Sequence, residues 1–211
     1  MITVIILAAG SSSRLGRPKQ LLDLGGRPVL QHVIDAAAKA GADEIAIVVG
    51  HAADQVAGAV SLPPQARLVH NPDHGKGQST SLRAGLRAAN PAAGAVVILL
   101  GDQPGVRPDA IASVVEAWRE GAGPVAQASY EGRPAHPTVF DRSVWPELGG
   151  AAGDEGARSL LIVHPEWVRP VEVGGQPPDD IDTEQDYARV RAAFAPCDEQ
   201  PDRNRRGQSD P

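Results

Sequence analysis

Three cations, Arg14, Arg17 and Lys19, stand in the stretch Leu7-Ala8-Ala9-Gly10-Ser11-Ser12-Ser13-Arg14-Leu15-Gly16-Arg17-Pro18-Lys19, and no acidic residue precedes Asp23. Small side chains leave the backbone N–H groups of such a loop open to a ligand, and the cations add charge, a combination suited to a polyphosphate. A lone carboxylate supplies the second chemical group. Asp102, in Gly101-Asp102-Gln103-Pro104, is the only acid between Asp73 and Asp109 and follows the most apolar run of the chain. An aspartate in that setting offers hard oxygen to Mg²⁺, which usually completes its shell with water and substrate phosphate. The third group, Asp179-Asp180-Ile181-Asp182-Thr183-Glu184-Gln185-Asp186, puts five acids in eight positions, and Asp182 is the candidate second metal ligand.

The residues alone leave other roles open. The loop is neither a Walker A sequence, since five residues separate Gly10 from Gly16 and Arg17 stands where Lys-Ser/Thr is required, nor a dinucleotide fingerprint. An exposed loop with solvated arginines is the alternative. Asp102 has a second reading as a turn former that bonds nearby N–H groups. The acids from 179 to 186 have one as caps and dipole partners of a helix. His136, in Arg133-Pro134-Ala135-His136-Pro137, is a substrate-site candidate or a histidine satisfied within a tight turn. Asn71-Pro72 between His70 and His74 argues against one helical face and a zinc pair. Trp118, Trp145 and Trp167 are scattered, which suits core packing better than a base-stacking platform.

The elements that must position these groups follow from apolar periodicity. Strand-length runs cover Ile2 to Leu7, Glu44 to Val49, Arg67 to His70 and Ala95 to Leu100. Helical spacing occupies the intervals: Val29, Leu30, Val33, Ile34 and Ala37, then Ser79 to Ala89, then Ala110 to Trp118. Val96 to Leu100 is apolar on both faces, so helices should cover both sides of a mainly parallel, doubly wound α/β sheet. In such a sheet a ligand sits beyond the carboxyl ends of the strands, where strand order reverses, which is where the cationic loop after the first strand lies.

The second half is less regular. Pro124 to Tyr130 and Ala135 to Phe140 read as strands joined by the turn Glu131-Gly132-Arg133-Pro134, making a hairpin or an antiparallel edge. A helix around Glu155 to Val163, a strand near Val168 to Val173 and a helix from Thr183 to about Phe194, capped by Asp182 or Thr183, complete a single domain over residues 1–194. Residues 195–211 have no periodic apolar positions and are expected to form a disordered tail.

Size and composition agree with that reading. A chain of 211 residues buries roughly 70% of the surface it would expose unfolded. Apolar residues at 42% and charged residues at 22% are ordinary globular values and exclude pervasive disorder. No apolar run approaches the ~18 residues of a membrane span, and the N-terminal stretch lacks a basic flank, so a cytoplasmic protein is expected. One cysteine, Cys197, rules out an internal disulfide. The net charge of −6 provides no general attraction to nucleic acid or membrane, so an anionic substrate must be held locally.

Taken in order from about residue 2 to residue 190, the motifs resemble the molybdenum cofactor nucleotidyltransferases, and more closely their cytidylyltransferase branch. Those motifs are Leu7 to Lys19, Asn71-Pro72 with Gly77-Gln78-Ser79-Thr80-Ser81-Leu82, Gly101 to Pro104, His136-Pro137, Gly153-Asp154-Glu155-Gly156-Ala157-Arg158, and Asp180 to Asp186. The chain departs from the family at Leu15, where Met is common, and at Thr183-Glu184, where Pro often intervenes. Neither change removes a charge or a donor.

The resemblance implies a three-layer α/β/α Rossmann-like nucleotidyltransferase fold with an antiparallel element in its second half. It implies that Leu7, Ala8, Ala9, Gly10, Ser11 and Ser12, with Gly77, Gln78, Ser79 and Ser81, surround the base and ribose. Arg14 and Lys19 would hold phosphates, and Asp102 and Asp182 would hold Mg²⁺. The implied reaction carries CMP from CTP to the phosphate of molybdopterin cofactor. Guanylyl transfer, transfer to another phosphate acceptor, and a nucleotide-binding module without turnover remain the alternatives. A recipient molybdoenzyme of the xanthine oxidase type follows from the resemblance alone.

Overall fold

A computed structural model describes residues 1–121, 123–150, 153 and 156–194. The expected tail 195–211, Cys197 within it, and Asp154-Glu155 of the fifth motif lie outside the described residues. The elements in chain order are β1 (Ile2–Ala8), β2 (Asp23–Leu24), β3 (Arg27–Pro28), α1 (Val29–Lys39), β4 (Glu44–Val49), α2 (Ala53–Ala59), β5 (Ala66–His70) and α3 (Gln78–Ala88). They continue with β6 (Ala95–Leu100), α4 (Pro108–Arg119), β7 (Val125–Tyr130), β8 (Arg133–Asp141), α5 (Trp145–Gly150), α6 (Arg158–Val163), β9 (Val168–Glu172) and α7 (Glu184–Ala193). None of the described helices is long and apolar enough to cross a membrane.

Seven strands form one sheet in the order β5-β4-β1-β6-β8-β7-β9, and β2 and β3 form a separate hairpin. The first four are mutually parallel. β8 runs against both β6 and β7, while β9 is parallel to β7. The expected β7–β8 hairpin is present, but it is not an edge: β8 is inserted beside β6, and β9 takes the edge.

Two apolar layers explain why the central strands are hydrophobic throughout. Val4, Ile6, Ile45, Ile47, Val97 and Leu99 face α1, α2 and α4 in one buried cluster, while their neighbours Ile5, Ala46, Val48, Val96 and Ile98 face α3, α5 and α6 in another. The two-residue alternation of side chains along a strand makes that division. The result is the expected three-layer α/β/α arrangement.

Several boundaries shift and four elements, β2, β3, α2 and α5, were not foreseen. The helix expected from Glu155 is α6, described from Arg158. Thr183, not Asp182, caps α7: its side chain accepts from the Asp186 backbone while the Asp186 carboxylate accepts from the Thr183 backbone, a capping box. The β2–β3 hairpin is too short to show a period. α2 buries only Val56 and α5 only Leu148, so neither displays an apolar stripe.

Candidate active site

The strand order reverses beside β1: the crossover through α1 carries the chain to β4 on one side, and the crossover through α3 carries it to β6 on the other. The loops after β1 and β6 therefore share one crevice at the carboxyl ends of the parallel strands. Their junction is tight. The Gly101 N–H donates to the Leu7 carbonyl at 2.9 Å, and a Cβ at Gly101 would stand 2.8 Å from Ala8 Cβ and 3.1 Å from Leu7 O. Only glycine lets Asp102 start this close to the first loop.

The first loop is folded by its own serine. The Ser12 carbonyl accepts from the N–H groups of Leu15 and Gly16 at 3.0 and 3.1 Å, and its hydroxyl accepts from the Lys19 N–H at 3.0 Å. Ser12 adopts a left-handed φ of 53° to do so. Leu15 points inward, joining Leu22, Leu24, Val29, Ile181 and Val190 in a small separate cluster. Arg14 stays outside at 69% exposure. Gln20, which sequence reading passed over, is buried and donates from Nε2 to the Ala8 carbonyl at 3.0 Å, bracing the loop from beneath.

The last acidic segment completes the crevice. Buried Ile181 joins the cluster of Leu15, and its N–H donates to the Asp102 carbonyl at 3.2 Å. The carboxylates on either side face the loops. Lys19 Nζ hydrogen-bonds Asp102 and also donates to Asp182 Oδ1 at 2.9 Å, and Arg14 donates to Asp182 Oδ2 at 3.1 Å. Residues 14, 19, 102 and 182, read separately from the sequence, thus form one constellation. Asp180 receives Gln103 Nε2 at 2.8 Å, a pair not foreseen. The signal available in the sequence was the Asp-Ile-Asp pattern, one apolar residue between two acids.

The electrostatics follow from this geometry. Burial works against the Lys19 ammonium, but the Asp102 charge and the hydrogen bonds to Asp102 and Asp182 outweigh it and raise its pKa. The Lys19 hydrogen bond holds the Asp182 carboxyl below its usual range, against some burial. Partial burial, followed by the charge of Asp102, pushes Asp180 up. Burial also lowers His136, whose Nδ1 lies 3.2 Å from the Ile98 carbonyl of β6; that contact and the Asp102 charge offset it only in part. His136 therefore lies on β8 beside β6, the strand that leads to Asp102.

The remaining candidates sit at the start of α3. Gly77, at φ 104°, opens the helix at the carboxyl side of the sheet. Ser79 and Ser81 are buried and engaged: the Ser79 N–H donates to the Gly153 carbonyl at 3.1 Å, and the Ser81 hydroxyl accepts from Asn71 Nδ2 at 3.0 Å. Asn71 also donates to Thr80 Oγ1 at 2.9 Å, so this buried amide ties the β5 exit to α3. Gln78 is only partly buried and heads the helix.

The donors of the site suit a divalent cation. Two carboxylates from distant segments, Asp102 and Asp182, converge on a single positive charge, the Lys19 ammonium, and both offer hard oxygen. The residues fit Mg²⁺ or Mn²⁺ held by two carboxylates and a substrate phosphate. Among the described residues no group of three or more His, Cys, Asp or Glu could hold a metal by itself.

Known proteins resemble this chain over most of its length. The model of the MobA-like NTP transferase domain matches residues 4–168. Nicotine blue oxidoreductase from Paenarthrobacter nicotinovorans is 31% identical over 199 residues, covering 90% of this chain and 96% of that protein. Purine catabolism protein PucB from Bacillus subtilis strain 168 is 34% identical over 201 residues, with the same coverage of 90% and 96%. The crystal structure of Rv0371c from Mycobacterium tuberculosis H37Rv superposes with a TM-score of 0.82 at 36% identity, covering 90% of this chain and 97% of that one. A manganese complex of that protein gives a TM-score of 0.78 at 33% identity, covering 91% and 98%.

Proposed function

Because this chain belongs to the family of MobA-like NTP transferase domains, we propose that it transfers CMP from CTP to the terminal phosphate of molybdopterin cofactor, releasing pyrophosphate. The observation that carries the reading is the Lys19 ammonium shared by Asp102 and Asp182 at the mouth of the β1 and β6 loops. A phosphate oxygen of the acceptor attacks the α-phosphorus of CTP. A new P–O bond forms, the α–β bridging bond breaks, and its electrons leave with pyrophosphate. The nucleophile is already anionic, so no general base is needed.

What the protein supplies is alignment and charge. Leu7 to Ser12 and the Gly77–Gln78 turn would surround base and ribose, with Ser79 and Ser81 shaping that turn from within. Lys19 has three donors. Two serve Asp102 and Asp182, leaving the third for a phosphate oxygen. Arg14, exposed and anchored at one nitrogen, would reach the leaving phosphates. Asp102 and Asp182 would hold Mg²⁺, which when bound neutralises phosphate charge. A manganese complex of a relative supports the use of a divalent cation. His136, on the antiparallel side of the sheet, would face the acceptor.

A cytoplasmic setting and a recipient molybdoenzyme of the xanthine oxidase type go with this reading. The name of one relative, purine catabolism protein, favours such a recipient. The test is pyrophosphate release from CTP, GTP, ATP and UTP with Mg²⁺ or Mn²⁺ and molybdopterin. Release with CTP, lost on chelation and accompanied by the cytosine dinucleotide, is the expected result. Preference for GTP would replace it with guanylyl transfer. Nucleotide binding without release from any of the four would leave a regulatory module.

A further inference from the structure

Gln103 follows Asp102 and has no task in the reaction above. It is 6% exposed, and its Nε2 reaches Asp180 Oδ1 at 2.8 Å, 77 residues away in the chain. Its Oε1 is buried without a hydrogen-bond partner. Among the described residues the other side-chain atom in that condition is Oε1 of Gln20, the residue after Lys19. Leaving a buried carbonyl unpaired is unfavourable. Turning the amide over would not help, because Oε1 would then oppose the Asp180 carboxylate, acceptor against acceptor. The orientation of Gln103 is dictated by Asp180.

The segment so held is the one that brings Asp182 to the site. Ile181 is anchored twice, by its side chain in the cluster of Leu15 and by its N–H on the Asp102 carbonyl at 3.2 Å. The charges of Asp102 and Asp182 act unfavourably on the Asp180 carboxylate, and like charges push the segments that carry them apart. Lys19 and Arg14 bridge Asp182 to the first loop. Gln103 supplies a bridge from the Asp102 loop itself.

We propose that Gln103 is a positioning residue for nucleotidyl transfer: by hydrogen-bonding Asp180 it locks residues 180–182 in the register that delivers Asp182 to Lys19 and the cation. The role rests on the proposed reaction, but the lock itself does not. In a structural role alone, loss of the amide would lower stability and leave the cation requirement where it was.

A double-mutant cycle on the full chain tests this, with Gln103→Met, Asp180→Ala, the double variant, and Asp180→Asn as the conservative replacement whose amide oxygen still accepts from Gln103. Two quantities are read: the Mn²⁺ concentration for half-maximal pyrophosphate release beside the KM for CTP, and the exchange rate of the Ile181 amide without metal. Groups that orient metal ligands are commonly worth about tenfold in metal affinity. Each single variant should raise the Mn²⁺ requirement about tenfold, with the KM for CTP nearly unchanged, and should speed Ile181 exchange. The double variant should be no worse than either single, since both remove one bond. Asp180→Asn should stay near wild type.

Wild-type Ile181 exchange in Gln103→Met, additive effects in the double variant, or damage from Asp180→Asn equal to that from Asp180→Ala would each overturn the proposal. Asp180→Ala tests the bond from its solvent-facing end should Gln103→Met not fold. A wild-type protein that turns over no nucleotide would sink the proposed reaction, and Ile181 exchange would still decide whether Gln103 is the lock.

Discussion

Lys19 and Asp102 are hydrogen-bonded partners although 83 residues separate them, and each side chain is only 15% exposed. The pair joins the loop after β1 to the loop after β6, and Asp182 makes it a triad. Enclosed charge of this kind needs its partners, and a polyphosphate is what the remaining donors suit.

Replacing Lys19 by Met should lower nucleotide turnover by ~10²-fold or more while the protein still unfolds cooperatively. Lys19→Arg should not restore it, because a planar fork cannot reproduce a compact ammonium between two carboxylates. Steady-state rates beside thermal melts check this. Near-wild-type turnover in Lys19→Met would remove Lys19 from the chemistry.

Arg14 is exposed and makes a surface contact with Asp182, a kind of pair that contributes little to stability. Arg14→Ala should leave the melting temperature unchanged, raise the KM for nucleotide, and flatten the rise of that KM with added salt. Titrating KM against NaCl for both proteins reads the result. Parallel salt curves would show that Arg14 does not meet the phosphates.

The His136 imidazole is partly buried, and its desolvation holds its pKa below the ordinary value of 6.5. The unfolded chain therefore binds a proton there that the folded chain refuses, so stability is retained above the unfolded pKa and falls as the pH drops below it. The melting temperature should decline between pH 7 and pH 5, less steeply in His136→Gln. Equal slopes for the two proteins would assign the decline to other groups.

Gly101→Ala would place a methyl group 2.8 Å from Ala8 Cβ and 3.1 Å from the Leu7 carbonyl, in the backbone junction of β1 and β6. Forced overpacking of that order costs about 1–3 kcal/mol. Urea unfolding should show the loss, and turnover should fall further than stability because Asp102 is displaced with its loop. An unaltered urea midpoint would mean that the junction yields without strain.

Much of this protein is legible in its sequence because the information is local. The runs Glu44 to Val49 and Ala95 to Leu100 coincide with β4 and β6, and the helical spacing from Val29 leads to α1. A strand needs only its own apolar residues to declare itself, and a loop of small residues and cations declares its open backbone and its local positive charge in the same way. Asp102 stood out because acids are absent for many positions around it.

Other features had no local signature. α2 and α5 each bury one side chain and are held by the surfaces they cover, and β8 finds its place between β6 and β7 through pairings with distant segments. The partner of Lys19, the choice of Thr183 over Asp182 as the cap, and the task of Gln103 depend on how the segment before α7 lies across the Asp102 loop. Periodicity reports which face of an element is apolar, so the sequence determined the elements and the chemical types at their ends. Which of those ends meet is a matter of strand order and of one buried isoleucine between two carboxylates, and only the tertiary structure decided it.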